Sequence, residues 1–425
     1  MCFMRRASRV RRIVAWLCVS AIMLLSTVVG QASKAKLAVW DWWDIANPSI
    51  KAYYDWVTTT FEAANPDIEL EYQFIPESQY YTRIITAVAA GVAPDVVQLS
   101  ITRARDFFNE GLLMVLNDFV AKTPSMAPRE FVPPTQIYNQ KDGQIYGITF
   151  VMDASALLYN RQHFREAGLD DSPEGIASWD EFVQAAKKLV RRHGGETTRF
   201  AYTFYGNPIE EFCSWMRTNG GSFYNTDFTQ AGFNTKSGVE TLRFLQSLSL
   251  DQLAGGNFNA ETASTRYWGT WAGSYIRNAN PSLDFGMTTF PQGPSGNQRG
   301  STTWGNMMTV LSTTQKPEAS WRYITFVCGL ESGIQLLRLM DRPTCPRLEF
   351  YRTSAWREAV RANPWMEQIP AIVNAGGAYP FIRFADVNAQ VGPLIRAAIQ
   401  SATMSPEEAL LRSEEIVNRF LSETE

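Results

Sequence analysis

Two periods alternate along the early part of the chain. Leu37-Ala38-Val39-Trp40 is a short apolar run, and Ile50, Tyr54, Val57 and Phe61 then recur at helical spacing. Asn65-Pro66-Asp67 interrupts that helix. Ile68, Leu70, Tyr72 and Phe74 alternate with polar neighbours, the period of a strand with one buried face. Tyr81, Ile84, Ile85 and Val88 return to helical spacing until Gly91 and Pro94 end it. Val96 to Leu99 is another short apolar run. Strand–helix–strand–helix–strand predicts a parallel sheet with right-handed crossovers, and ligands sit beyond the carboxyl ends of such strands. Trp40-Asp41-Trp42-Trp43-Asp44 and Gln98-Leu99-Ser100 fall at those ends.

Later in the chain, helix starts are marked by capping signals. Ser178-Trp179-Asp180-Glu181 and Ser237-Gly238-Val239-Glu240 fit capping boxes, and Ser405-Pro406-Glu407-Glu408 adds proline at the first helical position. The later two-thirds therefore carries its own helical layer. Gly293 to Gly300 reads as a polar loop. At 425 residues the chain is long enough for two domains.

Charge changes the picture only at the start. The formal net charge of −3 gives no reason to expect a nucleic-acid partner. Arg5, Arg6, Arg9, Arg11 and Arg12 precede an apolar run, Ile13 to Val29, that ends in Gly30-Gln31-Ala32. That order predicts a secretory signal over 1–32 and a periplasmic or extracytoplasmic protein; an uncleaved anchor is the alternative. Beyond the signal stand Cys213, Cys328 and Cys345, an odd number. Cys328 and Cys345 could pair in an oxidising compartment, or all three could be buried thiols.

Catalytic signatures are scarce. The only histidines, His163 and His193, both read as polar helix positions, and no zinc-type spacing, Gly-rich nucleotide loop or Gly-x-Ser-x-Gly turn occurs. No metal or cofactor is expected. Carboxylate catalysis is harder to set aside, because a glycosidase needs only two placed carboxyl groups, and Asp153 with Asp41 or Asp44 could supply them. Against that stands the density of tryptophan at Trp40 to Trp43. Indole faces stack on apolar ring surfaces and carboxylates accept hydrogen bonds from hydroxyls, a combination suited to binding sugars or, equally, to capping a core.

A series of short motifs then appears in order. Phe61-Glu62-Ala63-Ala64-Asn65-Pro66-Asp67-Ile68 is followed by Gly91-Val92-Ala93-Pro94-Asp95-Val96, Gly111-Leu112-Leu113, Tyr146-Gly147-Ile148 before Asp153, and Leu158-Tyr159-Asn160. Ala167-Gly168-Leu169, Trp179-Asp180-Glu181-Phe182, Asn219-Gly220-Gly221, Gly269-Thr270-Trp271 and Phe290-Pro291-Gln292-Gly293-Pro294 come later. In this order the chain resembles the extracellular sugar-binding proteins of bacterial ABC importers, the group that includes maltose-binding protein. Two stretches depart from the family pattern: Leu339-Met340-Asp341-Arg342-Pro343, and Ser264-Thr265-Arg266-Tyr267 before Gly269.

The resemblance implies an α/β, two-lobed periplasmic-binding-protein fold, each lobe a sheet flanked by helices, joined by hinge crossings. Residues 33–150 plus 290–330 would form the first lobe and 151–289 plus 331–425 the second. It implies a monomer that binds a carbohydrate in the interlobe cleft and delivers it to ABC permease subunits in the inner membrane, without catalysis. A non-sugar polar ligand on the same fold is a further reading. Neutral ligands fit best, although Arg103, Arg342 and Arg383 leave room for an acidic sugar.

The candidate ligand contacts are Trp42, Trp43, Asp44, Tyr80, Gln98, Ser100, Asp153, Trp271, Trp304, Gly305, Tyr379 and Arg383. Asp153 leads, because it interrupts the apolar run Ile148 to Leu158, where a carboxylate needs partners; ligand hydroxyls and an internal ion pair both qualify. Tyr80 is read as reaching the cleft or packing inside, and Gln98 and Ser100 as contacts or caps. Trp271 matches the family's aromatic platform in the second lobe. Trp304-Gly305 offers close approach, and Tyr379 and Arg383 flank Pro380 late in the chain, a region from which the resemblance implies a stacking aromatic.

Overall fold

The computed structural model describes residues 34–204, 206–401 and 403–423. The export segment expected over 1–32 lies outside the described residues. The first strand, β1 (Ala35–Asp41), pairs in parallel with β2 (Ile68–Phe74) along its length and with β3 (Val96–Ser100) at Val39 and Trp40. Helices α1 (Pro48–Ala64) and α2 (Glu77–Ala89) make the crossovers.

Local chemistry starts and stops α1. The Asn47 side chain accepts the Ser49 amide at 2.9 Å, Pro48 occupies the first turn, and the Asn65 side chain donates to the Phe61 carbonyl at 2.9 Å. Its buried stripe, Tyr53, Tyr54, Val57 and Phe61, packs under β1, each large side chain contributing roughly 2 kcal/mol by leaving water. In α2 the buried residues are Tyr80, Ile84 and Ala87; of the expected stripe Tyr81, Ile84, Ile85 and Val88, Ile84 is buried and the rest of the stripe is displaced by one position. The Tyr80 hydroxyl anchors this face by donating to the Trp40 carbonyl at 2.7 Å, and Ile85 is turned outward.

After α3 (Ile101–Asn109) comes β4 (Ile148–Asn160), buried at every position. There follow α4 (Trp179–Leu189), β5 (Glu196–Thr203), α5 (Pro208–Thr218), α6 (Lys236–Leu250), β6 (Ala263–Gly269) and α7 (Ala272–Ala279). Then come β7 (Phe285–Thr288), β8 (Ser301–Val310), α8 (Pro317–Val327), α9 (Leu330–Met340), α10 (Phe384–Arg396) and α11 (Pro406–Ser422). Shorter elements are named by their residues. The sheet order is β2-β1-β3-β8-β4-β6-β5, with Arg191–His193 beyond β5, β7 also on β4 and Gly376–Ala378 also on β8.

Two long strands belong to both halves of this α/β architecture. β4 pairs antiparallel with β8 from Ile148 to Ala154, then with β6 from Ser155 to Tyr159. β8 pairs with Gly376–Ala378 at its start and with β3 at its end, and its register against β4 shifts between Asn306 and Met307. The halves are thus joined by crossing strands, with helices over both. Helix α9 was expected to begin the second lobe, yet it packs on α1: the Tyr53 and Ser332 hydroxyls lie 2.7 Å apart and Leu336 joins the α1 core.

Other expectations meet the structure unevenly. The Ser178 capping box forms and Ser405 caps α11, but α6 is capped by Thr235 and not by Ser237, which lies inside the helix. His163 is helical, whereas His193 sits in the strand Arg191–His193. Cys213, Cys328 and Cys345 are buried free thiols, so the Cys328–Cys345 disulfide is not made. Gly305 was expected to let a ligand approach. The approach it permits is instead that of β4, since a Cβ there would stand 2.0 Å from the Val151 carbonyl oxygen.

That crossing has no room to give. Gly305→Ala is expected to force β8 away from β4 and lower stability by about 2–3 kcal/mol, read as a fall in the urea midpoint by circular dichroism. An unchanged midpoint would show that the strands part without cost.

Candidate functional site

The carboxyl end of β1 is organised by a buried acid. Asp41 is fully buried; its Oδ1 accepts the backbone amides of Trp42 at 2.7 Å and Trp43 at 2.9 Å, and its Oδ2 accepts the Tyr54 hydroxyl. Burial pushes its pKa up to about 6, against the pull of those three donors. Gln98, also fully buried, completes the group. With its nitrogen toward Asp41, the amide donates to Oδ2 at 3.2 Å, while its oxygen accepts the indole N–H of Trp43 at 3.1 Å and that of Trp42. Gln98 is therefore placed behind the tryptophans, where a ligand cannot reach it.

The two rings differ in setting. Trp43 packs among Tyr53, Tyr54 and Phe150, and the Arg342 guanidinium lies over it, 4.9 Å from the centroid. Trp42 is half-buried and meets Tyr81 edge-on at 5.6 Å. Three neighbours expected at the ligand are turned elsewhere. Tyr80 faces the core. Asp44 is exposed, and its Oδ1 accepts the Ala46 amide at 2.9 Å, a local turn that holds it in solvent. Ser100 caps α3, accepting the Thr102 amide at 3.3 Å.

Asp153 sits on β4 directly opposite Trp304 on β8, so the two side chains share a face. The carboxylate is 2% exposed; Oδ1 accepts the Thr270 hydroxyl at 3.2 Å and Oδ2 accepts Arg342 Nη2 at 3.3 Å. Burial raises its pKa, with Arg342 and Thr270 opposing. Of the two roles left open for Asp153, the internal ion pair is formed. Arg342 reaches it from the left-handed turn at Asp341 that ends α9, and its buried Nε has no hydrogen-bond partner in the protein. Arg342 and Thr270 are site residues that periodicity does not reveal. The signal was Asp153 itself, since a buried carboxylate needs a cation or several hydrogen-bond donors around it.

Rings from the later chain converge on the same place. A Cβ added to Gly269 would lie 2.5 Å from Trp271 Nε1 and 2.8 Å from Trp304 Cζ2, so both indoles close over that glycine. Trp271 also meets Trp268 edge-on at 5.4 Å, and the Arg266 guanidinium stacks 3.6 Å from the Trp268 centroid. Trp304 leans on buried Tyr379 at 5.7 Å. The Tyr379 hydroxyl bonds Glu210 in the first turn of α5, which also accepts the Asn207 side chain at 2.9 Å. Burial pushes Glu210 up to about 7, against those two hydrogen bonds.

Arg383 stands apart from the tryptophans. Its guanidinium pairs with Asp386 at 2.9 Å and Glu423 at 2.7 Å, and its backbone is left-handed at φ +46°. It lines a cavity of about 490 Å3 with Tyr81 of α2 and Arg103 and Asp106 of α3. Asp106 is pushed up to about 6 by burial, opposed by the Arg383 backbone amide and by Arg103. Tyr81, which also touches Trp42, joins this cavity to the tryptophan cluster. Among the described residues no group of His, Cys, Asp and Glu could hold a metal ion, and no helix is long and apolar enough to cross a membrane. Of the carboxyl groups that a paired-carboxylate reading sets beside Asp153, Asp41 is sealed beneath two tryptophans and Asp44 points into solvent.

Two halves joined by crossing strands, with aromatic and polar side chains gathered where they meet, define a two-lobed binding-protein fold. The family model for the bacterial extracellular solute-binding protein matches residues 46–331, and the chain belongs to that family. Its fold is similar to that of the cyclic alpha-maltosyl-1,6-maltose binding protein from Arthrobacter globiformis, with TM-score 0.80 and 19% identity over 92% of this chain and all (100%) of that one. The arabinooligosaccharide-binding protein of Bacillus subtilis (strain 168) is 21% identical over 351 residues, 74% of this chain and 76% of that protein. The protein of the same name from Halalkalibacterium halodurans is 28% identical over 213 residues, 48% of this chain and 44% of that protein.

Glu210 gives a pH test. A carboxyl whose pKa is higher in the folded chain holds its proton more tightly there. Its stabilising effect is complete below the unfolded value of 4.5 and is lost as pH rises through about 7. Glu210→Gln is therefore expected to exceed the wild type in stability above pH 7 by on the order of 2 kcal/mol, the gap closing toward pH 4.5. His163, lowered to about 4 chiefly by burial, acts in both proteins and cancels. Urea unfolding between pH 5 and 8.5 measures the gap; a constant difference would refute the assignment.

Proposed function

We propose that this protein captures a neutral oligosaccharide between its lobes and delivers it, by hinge closure, to the permease subunits of an ABC importer. The observation that carries this reading is the Asp153–Arg342 pair, set beside Trp304 of β8 and stacked on Trp43 just beyond the end of β1. Sugars present hydroxyls and apolar C–H faces together, and this grouping offers partners for both. Trp42, Trp271 and Trp304 are half-buried, which leaves ring surface for stacking.

Charge supports a neutral ligand. Arg342 is matched by Asp153, Arg383 by Asp386 and Glu423, and Arg103 lies over the Tyr81 ring beside Asp106. These three cations are already engaged, which disfavours an anionic sugar. The names of similar proteins, which bind arabino-oligosaccharides, maltodextrin or cyclic maltosyl-maltose, support the same class. We place the ligand contacts at Trp42, Asp153, Trp271, Trp304 and Arg342. We read the protein as a periplasmic or extracytoplasmic monomer that acts without catalysis, with lobes dividing near β4 and β8 and again after α9.

Ligand would favour the closed arrangement only if it touches both lobes at once. A thermal-shift screen of arabino-oligosaccharides and maltodextrins tests this. A true ligand at a hundredfold excess over Kd adds about 2.7 kcal/mol, a rise of several degrees. Trp304→Ala is expected to weaken binding of the same sugar 10-fold or more with little loss of folding, measured by tryptophan fluorescence titration. Hydrolysis of the sugar with turnover, or no response to any of these sugars, would overturn the proposal.

A further inference from the structure

Gln98 is a polar side chain between the apolar Val97 and Leu99 of β3, with no exposed surface. A buried amide is costly unless each donor and acceptor is used, so its partners define its purpose. Those partners are the Asp41 carboxylate and the indole N–H groups of both Trp42 and Trp43. Asp41 in turn holds the backbone amides of the same two tryptophans. We propose that Gln98 is a positioning residue that clamps both indole rings from behind, so that Trp42 offers a bound sugar its ring face and never its N–H. The statement about sugar rests on the reading given under Proposed function; the clamp does not.

The neighbouring contacts agree with this division of labour. Asp41 fixes the backbone of the Trp42-Trp43 step, and Gln98 fixes the ring rotation. Tyr80 and Tyr81 flank the Trp42 ring at 5.9 and 5.6 Å, which limits its remaining freedom. Arg342 covers Trp43, leaving Trp42 as the ring of the pair with free surface. With its N–H turned inward, Trp42 can only stack. It therefore selects sugar faces rich in C–H and gives nothing to a hydroxyl in its plane. A ring held before ligand arrives also loses less side-chain freedom on binding.

The test is exchange of the indole N–H protons in protein labelled with 15N at tryptophan, the two signals assigned through Trp42→Phe and Trp43→Phe. In the wild type without sugar, both N–H groups are expected to exchange slowly, and saturating maltotriose is expected to leave those rates unchanged. Rapid exchange without sugar, or protection that develops only with maltotriose, overturns the clamp. In Gln98→Leu both N–H groups are expected to exchange at least 10-fold faster, with the Kd for maltotriose raised at least 10-fold. Unchanged exchange in that variant also overturns it. Should Gln98→Leu not fold, the wild-type rates decide alone. If the wild type ignores maltotriose and arabinotriose yet keeps both N–H groups protected, the clamp stands and the sugar reading falls. If it binds either sugar normally while both N–H groups exchange rapidly, the sugar reading stands and the clamp falls.

Discussion

A charge placed inside a fully buried strand constrains this molecule more than any other single feature. Asp153 stands near the middle of β4, where every neighbour along the strand is also buried. An isolated carboxylate there would neutralise or disrupt the strand, and burial does raise its pKa. The ion pair with Arg342 offsets that cost only if Arg342 is delivered with good geometry. Delivery depends on α9 packing against α1, on the left-handed turn at Asp341, and on Trp43 as a surface for the guanidinium. One acid therefore ties the crossing strand to the first helix and to the end of the first strand.

A second buried acid plays the matching part at the end of β1. Asp41 takes no counter-cation; it is held by two backbone amides, the Tyr54 hydroxyl and the Gln98 amide. Hydrogen bonds can satisfy a carboxylate without a charge partner, though here burial still outweighs them. The two acids meet through Trp43, whose indole N–H bonds Gln98 and whose face carries Arg342. The tryptophans thus couple two networks that would otherwise be separate.

The first strands and helices were legible in the chain because amphipathic period and local breakers determine them. The displaced face of α2 shows the limit: Tyr80 and Tyr81 are equally apolar, and the choice between them was made by a hydrogen bond to the Trp40 carbonyl. The same limit applies to the site. Asp153, Trp271 and Trp304 stood out because their residue types are unusual where they occur, and the fold gathers them. Asp44 and Ser100 are taken up by a turn and a cap, roles that an aspartate or serine at a strand end serves as readily as a ligand contact. Glu210 was invisible, since an acid in the first turn of a helix is ordinary there and only the fold sets it against Tyr379.

These interactions lie mainly at the walls of the site, and that has a consequence for closure. A ligand shifts the balance between open and closed forms only through contacts that differ between them. Trp42 and Trp43 are fastened to the first half by Asp41 and Gln98, and Trp271 closes over Gly269 at the end of β6, with Trp304 beside it on crossing strand β8. Each ring therefore travels with its own support and does not adapt separately. Were a ligand to bind these rings as proposed, little of the binding energy would go to ordering side chains, and more of it would favour one relative placement of the halves. The 490 Å3 cavity is lined both by Asp106 of α3 and by Arg383 at the start of α10, so a shift of one helix against the other would change its shape.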